Sequence, residues 1–279
     1  MLSEEMLEGT ATTKSRVKGK GRTFDLSDAA NVVLFLAAFL GAWQLVYMAG
    51  IWPDALLPSP ATAAGKMSAL FATGSLTISI GTSLLRLGVG FAISVALGGI
   101  VGLAMVKFPG FGKTMSSFAV GLLTFPSIAW VPFSILIIGF NDFGILFVVV
   151  MASVFSVMIT TYSSLRNIPP LYVRASKNMG ASGFSLFRHV MIPAATPSLI
   201  IGMRQAWSFA WHALIGAEML IVTLAGLGYL LYVGREFNDM AQIITVMVSV
   251  FAIGIVFDRV IFLKLEDRIR SKWGLGENR

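Results

Sequence analysis

The chain has 279 residues and a mean hydropathy of +0.80. Only 13% of its residues are charged, against ~25% in a soluble domain, so most of its surface must face lipid or partners rather than water. The net charge of +7 falls in loops between apolar stretches, the pattern of membrane topology rather than of a nucleic-acid-binding surface, and the lack of cysteine excludes disulfides, thiolate chemistry and Cys-based metal sites.

The first 23 residues are polar, rich in Gly, Thr and Lys, and lack the apolar core of a cleavable signal peptide. Residues 1–28 read as a mobile cytoplasmic tail, 29–265 as the membrane domain and 266–279 as a cytoplasmic extension. A helix needs ~20 apolar residues to cross the bilayer. Six segments qualify: about 29–51, 80–106, 115–139, 144–165, 194–222 and 241–263. The second carries Arg86. The third carries two prolines: Pro126 removes the hydrogen bond to the carbonyl of Leu122, and Pro132 that to Ile128. Freed carbonyls at membrane depth are tolerated where they line a cavity. Phe125, Ser127 and Trp130, around the two expected kinks, are therefore candidate path-lining residues, with a simple packing kink as the other reading.

Between the fourth and fifth spans lies a polar island, 169–193. Ile168-Pro169-Pro170 turns the chain, Leu171 to Met179 reads as a short helix, and Gly180 stops it as a C-cap glycine. Phe184–His189 forms a second basic, amphipathic piece, and Pro193 and Pro197 open the fifth span. A short helix with small residues, Ala175 and Ser176, and anchors, Tyr172 and Met179, suits docking into a partner's groove.

On the fifth span Arg204, Trp211 and Glu218 recur every seven residues and share one stripe with Ser208 and Ile215. Ionisable groups at depth cost ~2.5–3.5 kcal/mol each on insertion scales, so they pair or line a path. Arg86 and Glu218 both fall in the outer third of the membrane, and an Arg86–Glu218 ion pair is expected. Arg204 is either neutralised by Asp258 of the sixth span or left to draw an anion; Asp258-Arg259 can also simply mark the inner end of that helix. His212, near mid-depth and with no second histidine nearby, is expected to hydrogen-bond a neighbouring carbonyl; a metal site is not expected.

Orientation follows from lysines and arginines. With a cytoplasmic N-terminus, the inside segments hold sixteen and the outside segments two, Lys66 and Arg235. Both termini and the island are then cytoplasmic. Gly112-Lys113-Thr114 ends like a phosphate-binding loop, but Lys107 stands where that pattern needs glycine, so the chain alone is not expected to bind ATP.

The island runs Arg174-Ala175-Ser176, then Gly180 six residues after Arg174, then Val190-Met191-Ile192-Pro193 beginning ten residues after Gly180. This resembles the coupling signature of ABC importer permeases, Glu-Ala-Ala, three residues, Gly, nine residues, Ile-x-Leu-Pro, with Arg174 where the family has Glu. Leu57-Pro58-Ser59-Pro60, Ser83-Leu84-Leu85-Arg86 with Gly88 and Gly90, the run Pro126–Pro132, Ala217-Glu218-Met219-Leu220 and Gly226-Leu227-Gly228-Tyr229 resemble the nitrate/sulfonate/taurine/bicarbonate branch, over roughly residues 30–270.

The resemblance implies an all-α membrane protein with six transmembrane helices in a type I importer bundle of the inner membrane. It implies two permease copies around one path, two ATP-binding subunits that hold ATP and Mg, an extracytoplasmic substrate-binding protein, and alternating access. The chain would be a non-catalytic permease subunit with no cofactor of its own and no nucleic-acid partner. Tyr172, Arg174, Ala175, Ser176, Met179, Gly180, Ile192 and Pro193 would meet the ATPase. Arg204, Ser208, Trp211 and His212 would join Phe125, Ser127 and Trp130 along the path. The expected cargo is a small anion: a sulfonate or taurine, nitrate or bicarbonate. A neutral vitamin precursor, an ATPase-independent channel or carrier, and an intramembrane enzyme using His212 and Glu218 stand as alternatives. A role that the family's Glu carries at this position, such as pairing with a basic group, cannot transfer to Arg174, because a cation cannot make the ion pair of a carboxylate.

Overall fold

The computed structural model describes residues 26–272, all in helices and their connections. Most of the expected tail, 1–25, and residues 273–279 lie outside the described residues. Five helical stretches are long and apolar enough to cross a membrane, and a bent helix pair makes a sixth.

The first long helix, α1 (Leu26–Met48), stands apart from the bundle: its apolar side chains are exposed along its length, and its Trp43 indole donates to the Pro58 carbonyl at 3.1 Å. A short helix follows, α2 (Pro60–Ala72). Ser59 caps it by accepting from the Thr62 N–H, and Pro60 opens it at a position where the missing N–H costs nothing. Next is α3 (Ser75–Lys107), 33 residues and about 50 Å at ~1.5 Å per residue, starting five residues before the expected 80.

The expected third span is not one kinked helix. It is α4 (Pro109–Leu123), a single turn at Ser127–Ala129, and α5 (Trp130–Ile137), with a bend of 90° between the two halves. Only Pro126 makes the break: its ψ of 119° is extended, and the last turn of α4 closes on Leu122 through the Phe125 N–H. Pro132 lies in the first turn of α5, where its lack of an N–H leaves no hydrogen bond broken, so the expected second kink is absent.

The central helix is α6 (Asp142–Arg166), the most enclosed of the spans. Its N-terminus is capped by Asn141, whose side chain accepts from the Gly144 N–H at 3.1 Å. It packs against α3 through a stripe spaced every four residues, Gly90, Ser94, Gly98 and Gly102. A Cβ at Gly98 would sit 2.7 Å from the Val154 carbonyl oxygen, and one at Gly102 2.6 Å from Thr161 Cβ. Lipid supplies no hydrophobic drive for helix association, so close van der Waals packing and polar contacts must do it. Ser153 donates to Ser94 at 2.8 Å across this seam.

After α7 (Pro170–Asn178), the chain re-enters through α8 (Gly183–Leu186), which runs through a wide π-turn at Phe187–Met191 into α9 (Ile192–Leu220). The whole stretch Gly183–Leu220 is one 38-residue span. Pro193 stands in the first turn of α9 and Pro197 inside it, and the helical run that carries them begins eleven residues before the expected 194. The π-turn precedes two residues that cannot donate to the helix ladder, and a widened turn is one way a helix accommodates such losses. The remaining helices are α10 (Leu227–Glu236), α11 (Met240–Phe257) and, after a second π-turn at Asp258–Leu263, α12 (Lys264–Lys272). The sixth span thus continues into the expected C-terminal extension without a break.

Candidate functional site

Three places concentrate the polar chemistry of the bundle. The first is a buried ion cluster where α3, α6 and α9 meet the 221–228 loop. Arg86 Nη1 donates to Glu218 Oε1 at 2.8 Å and to the Ala225 carbonyl at 2.8 Å. Its Nη2 donates to Asp142 Oδ1 at 2.5 Å and to Thr223 Oγ1 at 3.2 Å. Glu218 is fully buried; Ser83 Oγ lies 2.9 and 2.7 Å from its two oxygens, and the Gly228 N–H donates to Oε2 at 3.0 Å. The Ser83 hydroxyl oxygen in turn accepts from the Leu227 N–H at 2.8 Å. The structure brings Arg86 and Glu218 together and adds Asp142, Ser83 and the loop.

Two glycines make this wrap possible. Gly226 has φ +142° and packs so close that a Cβ would lie 2.7 Å from the Glu218 carboxylate. At Gly228 a Cβ would lie 2.5 Å from Glu218 Cβ and from the Ile215 carbonyl oxygen. No other residue type allows the loop backbone to reach the carboxylate. Arg86 Nε is the one buried side-chain nitrogen or oxygen among the described residues with no partner.

The second place is the elbow between α4 and α5. Phe125, Ser127 and Trp130 line a cavity of about 230 Å³ with Leu122, Phe155 of α6 and Phe209 of α9. Phe125 and Trp130 meet edge to face at 5.4 Å. The elbow is seated by Ile128, which fills the notch left by Gly216 on α9.

The third place is a groove of about 700 Å³ between α9 and α11. Ser208, Trp211, His212 and Ile215 form one wall, and Met247, Phe251, Gly254 and Asp258 the other. Arg259 closes one end. Arg204 does not enter it as a free cation: its guanidinium clasps both oxygens of Asp258, Nη2 to Oδ2 at 2.6 Å, and Glu266 of α12 lies 3.8 Å from Nη1. His212 Nδ1 is 2.6 Å from the Ser208 carbonyl, so that ring nitrogen carries the proton and donates.

The expected path residues are therefore split. Phe125, Ser127 and Trp130 lie on one side of α9, and Ser208, Trp211 and His212 on another; within one chain they do not line a common cavity.

The lever candidate α7 projects from the ends of α6 and α9. Gly180, at φ +90°, closes it in a Schellman motif: the Gly180 N–H donates to the Lys177 carbonyl at 2.9 Å and the Ala181 N–H to the Ser176 carbonyl at 2.9 Å. Leu171, Tyr172, Arg174, Ala175 and Met179 are exposed. Ser176 is not: it turns inward, buried, and donates to the Tyr172 carbonyl at 2.8 Å. Val173 packs against the buried cluster of Leu165, Ile168 and Ala195, where the end of α6 meets the start of α9. Beside it Phe184, Phe187, Arg188, His189 and Ile192 line a surface recess, while Pro193 is half-buried in the first turn of α9.

The family model described as binding-protein-dependent transport system inner membrane component matches residues 88–270. The chain belongs to that family. This permease is 30% identical over 235 residues to SsuC of Escherichia coli, a protein named for aliphatic sulfonates transport; the match covers 84% of this chain and 88% of that one. It is 27% identical over 240 residues to the bicarbonate transport system permease protein CmpB of Synechocystis, covering 83% and 86%. Its fold matches a chain of the MetNI methionine ABC transporter with a TM-score of 0.55 at 20% identity, covering 72% of the permease and 97% of that chain. The permease is thus a multi-pass inner-membrane subunit of an ABC importer, with relatives named for sulfonate and for bicarbonate.

Sequence reasoning missed several members of these sites. Asp142 falls just outside the expected fourth span, 144–165, and so was not counted among the charges at depth. Ser83 and Gly226–Gly228 stand out in the sequence only as matched motifs, because hydroxyls and backbone N–H groups occur all along the chain and their pattern does not say which of them will be buried beside the carboxylate. A further pair, Lys66 of α2 with Asp239 at the start of α11, was legible only as one of the two lysines and arginines expected outside.

Proposed function

We propose that this permease imports a small anion by alternating access, driven by a separate ATPase that pushes on α7. The observation that carries the reading is the construction of α7: its end is fixed by the Gly180 cap, its outer residues Leu171, Tyr172, Arg174 and Met179 are free to dock, and its inner face is tied through Val173 to the ends of α6 and α9. A push on such an element is delivered to two membrane helices at once. Ile192 and the adjoining recess extend the docking face, and Ser176 serves it by stiffening the helix rather than by contact. Arg174 is exposed and has no ion pair among the described residues, so the partner's groove is expected to offer it an acceptor.

Two copies of this chain, two ATP-binding subunits holding ATP and Mg, and an outer binding protein complete the machine. The N-terminus and α7 lie on the cytoplasmic side by the positive-inside rule. The names of the sulfonate and bicarbonate relatives support an anionic cargo.

The test is uptake into proteoliposomes by the complex assembled from co-encoded subunits. Gly180→Val forces a β-branched residue to φ +90°, a strain of about 1–3 kcal/mol with no atom within 4 Å of the added Cβ to clash. ATP hydrolysis is expected to continue while uptake falls, and Gly180→Asn, which tolerates this conformation better, to restore part of it. Uptake at full rate without hydrolysable ATP would refute the reading.

A further inference from the structure

The π-turn at Asp258–Leu263 decides which residues of the sixth span face α9. Trp207 of α9 stacks on Phe257 at 5.1 Å between ring centroids and meets Phe262 at 6.0 Å. Phe91 of α3 meets the same indole edge-on at 5.2 Å. Three residues before Trp207, Arg204 holds both oxygens of Asp258, and Glu266 of α12 stands 3.8 Å from its Nη1. Positions three apart share a helix face, so α9 offers one ring and one cation to four residues of the sixth span: Phe257, Asp258, Phe262 and Glu266.

A plain α-helix does not offer those four together. At ~100° per residue they fall at about 0°, 100°, 140° and 180°, half the circumference. A π-turn closes on the fifth residue rather than the fourth, which adds one residue to the turn. With that residue taken out of the count after Asp258, the four fall at about 0°, 100°, 40° and 80°, under a third of the circumference. Burial follows this second pattern: Phe262 is buried, while Arg259, Val260 and Ile261 within the turn are exposed.

The four contacts are unequal. Phe257 and Asp258 stand ahead of the added residue and keep their facing with or without it. Phe262 and Glu266 follow it. Relaxing the turn to an ordinary α-helix rotates everything after it by ~100° and shifts it by ~1.5 Å, which takes Phe262 off Trp207 and Glu266 off Arg204. These later contacts are also the looser ones. Phe262 is tilted where Phe257 is stacked, and Glu266 lies near the ~4 Å limit of an ion pair where Asp258 is held twice. The helix they retain, α12, runs Lys264-Leu265-Glu266-Asp267-Arg268, too charged for hydrocarbon, and so stands at the aqueous end of its span.

We propose that the Asp258–Leu263 turn is a register switch. With the extra residue held in the turn, α12 is latched to α9 through Phe262 and Glu266. With the turn relaxed, α12 rotates by ~100° beneath the Arg204–Asp258 pair, which stays closed. This goes beyond the import reading and rests on it only for what throws the switch, an ATPase on the same side of the membrane.

Deleting Val260 separates a switch from a fixed kink. The deletion removes one residue from the exposed arc of the turn and lets an ordinary α-helix keep all four residues towards α9, so α12 is latched permanently. The experiment uses the full-length permease, assembled in nanodiscs with its co-encoded ATPase and binding protein. A spin label is attached before assembly at Leu265→Cys, an exposed α12 position in a chain without cysteine. The rotation carries this position from about 340° to about 80°, from the flank of the α9 face onto it, so a label there loses mobility. In the parent, the ratio of mobile to immobile components is expected to shift about fivefold or more between the ATP-free complex and one trapped with ATP and vanadate. The deletion variant is expected to keep the mobile component in both and to lose uptake by about tenfold or more. Trp207→Ala, which keeps the chain length, should raise the immobile component in both states, with Trp207→Phe restoring part of the latched one. That pair keeps the test open if the deletion misfolds.

One unchanging spectrum in the parent would overturn the proposal. So would uptake by the deletion variant at the parental rate, or a Trp207→Ala spectrum identical to the parent's. ATP-driven anion uptake by the parent alongside such a result would leave the import reading standing and sink only the switch. A label that switches in a complex importing no anion with ATP would do the reverse.

Discussion

Replacing Glu218 by Gln tests the buried ion cluster with almost no change of volume. The carboxylate accepts from Arg86, Ser83 and the Gly228 N–H, and an amide can accept through only one of its two ends. Turned either way, its NH₂ faces a donor, the Gly228 N–H or the Arg86 guanidinium. An unsatisfied buried polar group costs about 1–3 kcal/mol. Removing one partner of a buried pair costs about 3–5 kcal/mol. Arg86 keeps Asp142 as a second carboxylate at 2.5 Å, so the loss falls near the lower end, about 3 kcal/mol. Arg86→Gln should cost more, because Glu218 then has no cation at all. The double variant leaves no uncompensated buried charge, only the solvent-exposed Asp142, and should be less damaged than the sum, by about 2 kcal/mol. Asp142→Asn, at a side chain 64% exposed, should cost under about 1 kcal/mol. Unfolding of the purified variants in sodium dodecyl sulfate measures all four. Additivity within ~0.5 kcal/mol, or Glu218→Gln indistinguishable from the parent, would refute the argument from desolvation.

Two further outcomes follow from the packing. Partial burial pushes the Asp239 carboxyl up, but the Lys66 ammonium and the N–H groups of Gln242 and Ala241 outweigh it and hold the carboxyl below its ordinary value. A depressed carboxylate stabilises the fold above its unfolded value of ~3.9 and loses that contribution as pH falls through the folded value. Asp239→Asn should therefore lower the unfolding midpoint at neutral pH, and the gap from the parent should close in acid below ~4; a gap that widens on acidification would contradict the pairing. Gly98→Leu should destabilise by about 1–3 kcal/mol or more, because its Cβ meets the Val154 backbone at 2.7 Å, whereas Gly81→Leu on the same helix meets nothing within 4 Å and should be harmless in the same thermal melt.

Hydropathy made the number and order of the spans legible, because the bilayer demands long apolar runs whatever their neighbours do. The cost of burying charge made Arg86 seek Glu218 and Arg204 seek Asp258. The 90° elbow was not legible: Pro126 and Pro132 look alike in sequence, and only the place where the next helix begins decides which one breaks it. The continuity of α8 with α9 was hidden because a π-turn joins them ahead of two prolines that seemed to mark a fresh start. That Arg259 is left without Asp258 was not legible, since it depends on Asp258 being taken by a residue 54 positions away. The two-sided placement of the path residues likewise depends on how α9 is rotated against α6 and α11, which no local pattern records.

The clasp at Arg86 and the apolar knot at Val173 have a joint mechanical meaning. One ties the start of α6 to the end of α9, through Asp142 and Glu218; the other ties the opposite ends of the same two helices, through Leu165, Ile168 and Ala195. A pair of rods lashed at both ends cannot scissor. On the import mechanism proposed above, a push on α7 would tilt the lashed pair as one beam, and opening and closing would fall to seams that lack such lashings: the elbow of α4 and α5 and the α9–α11 groove.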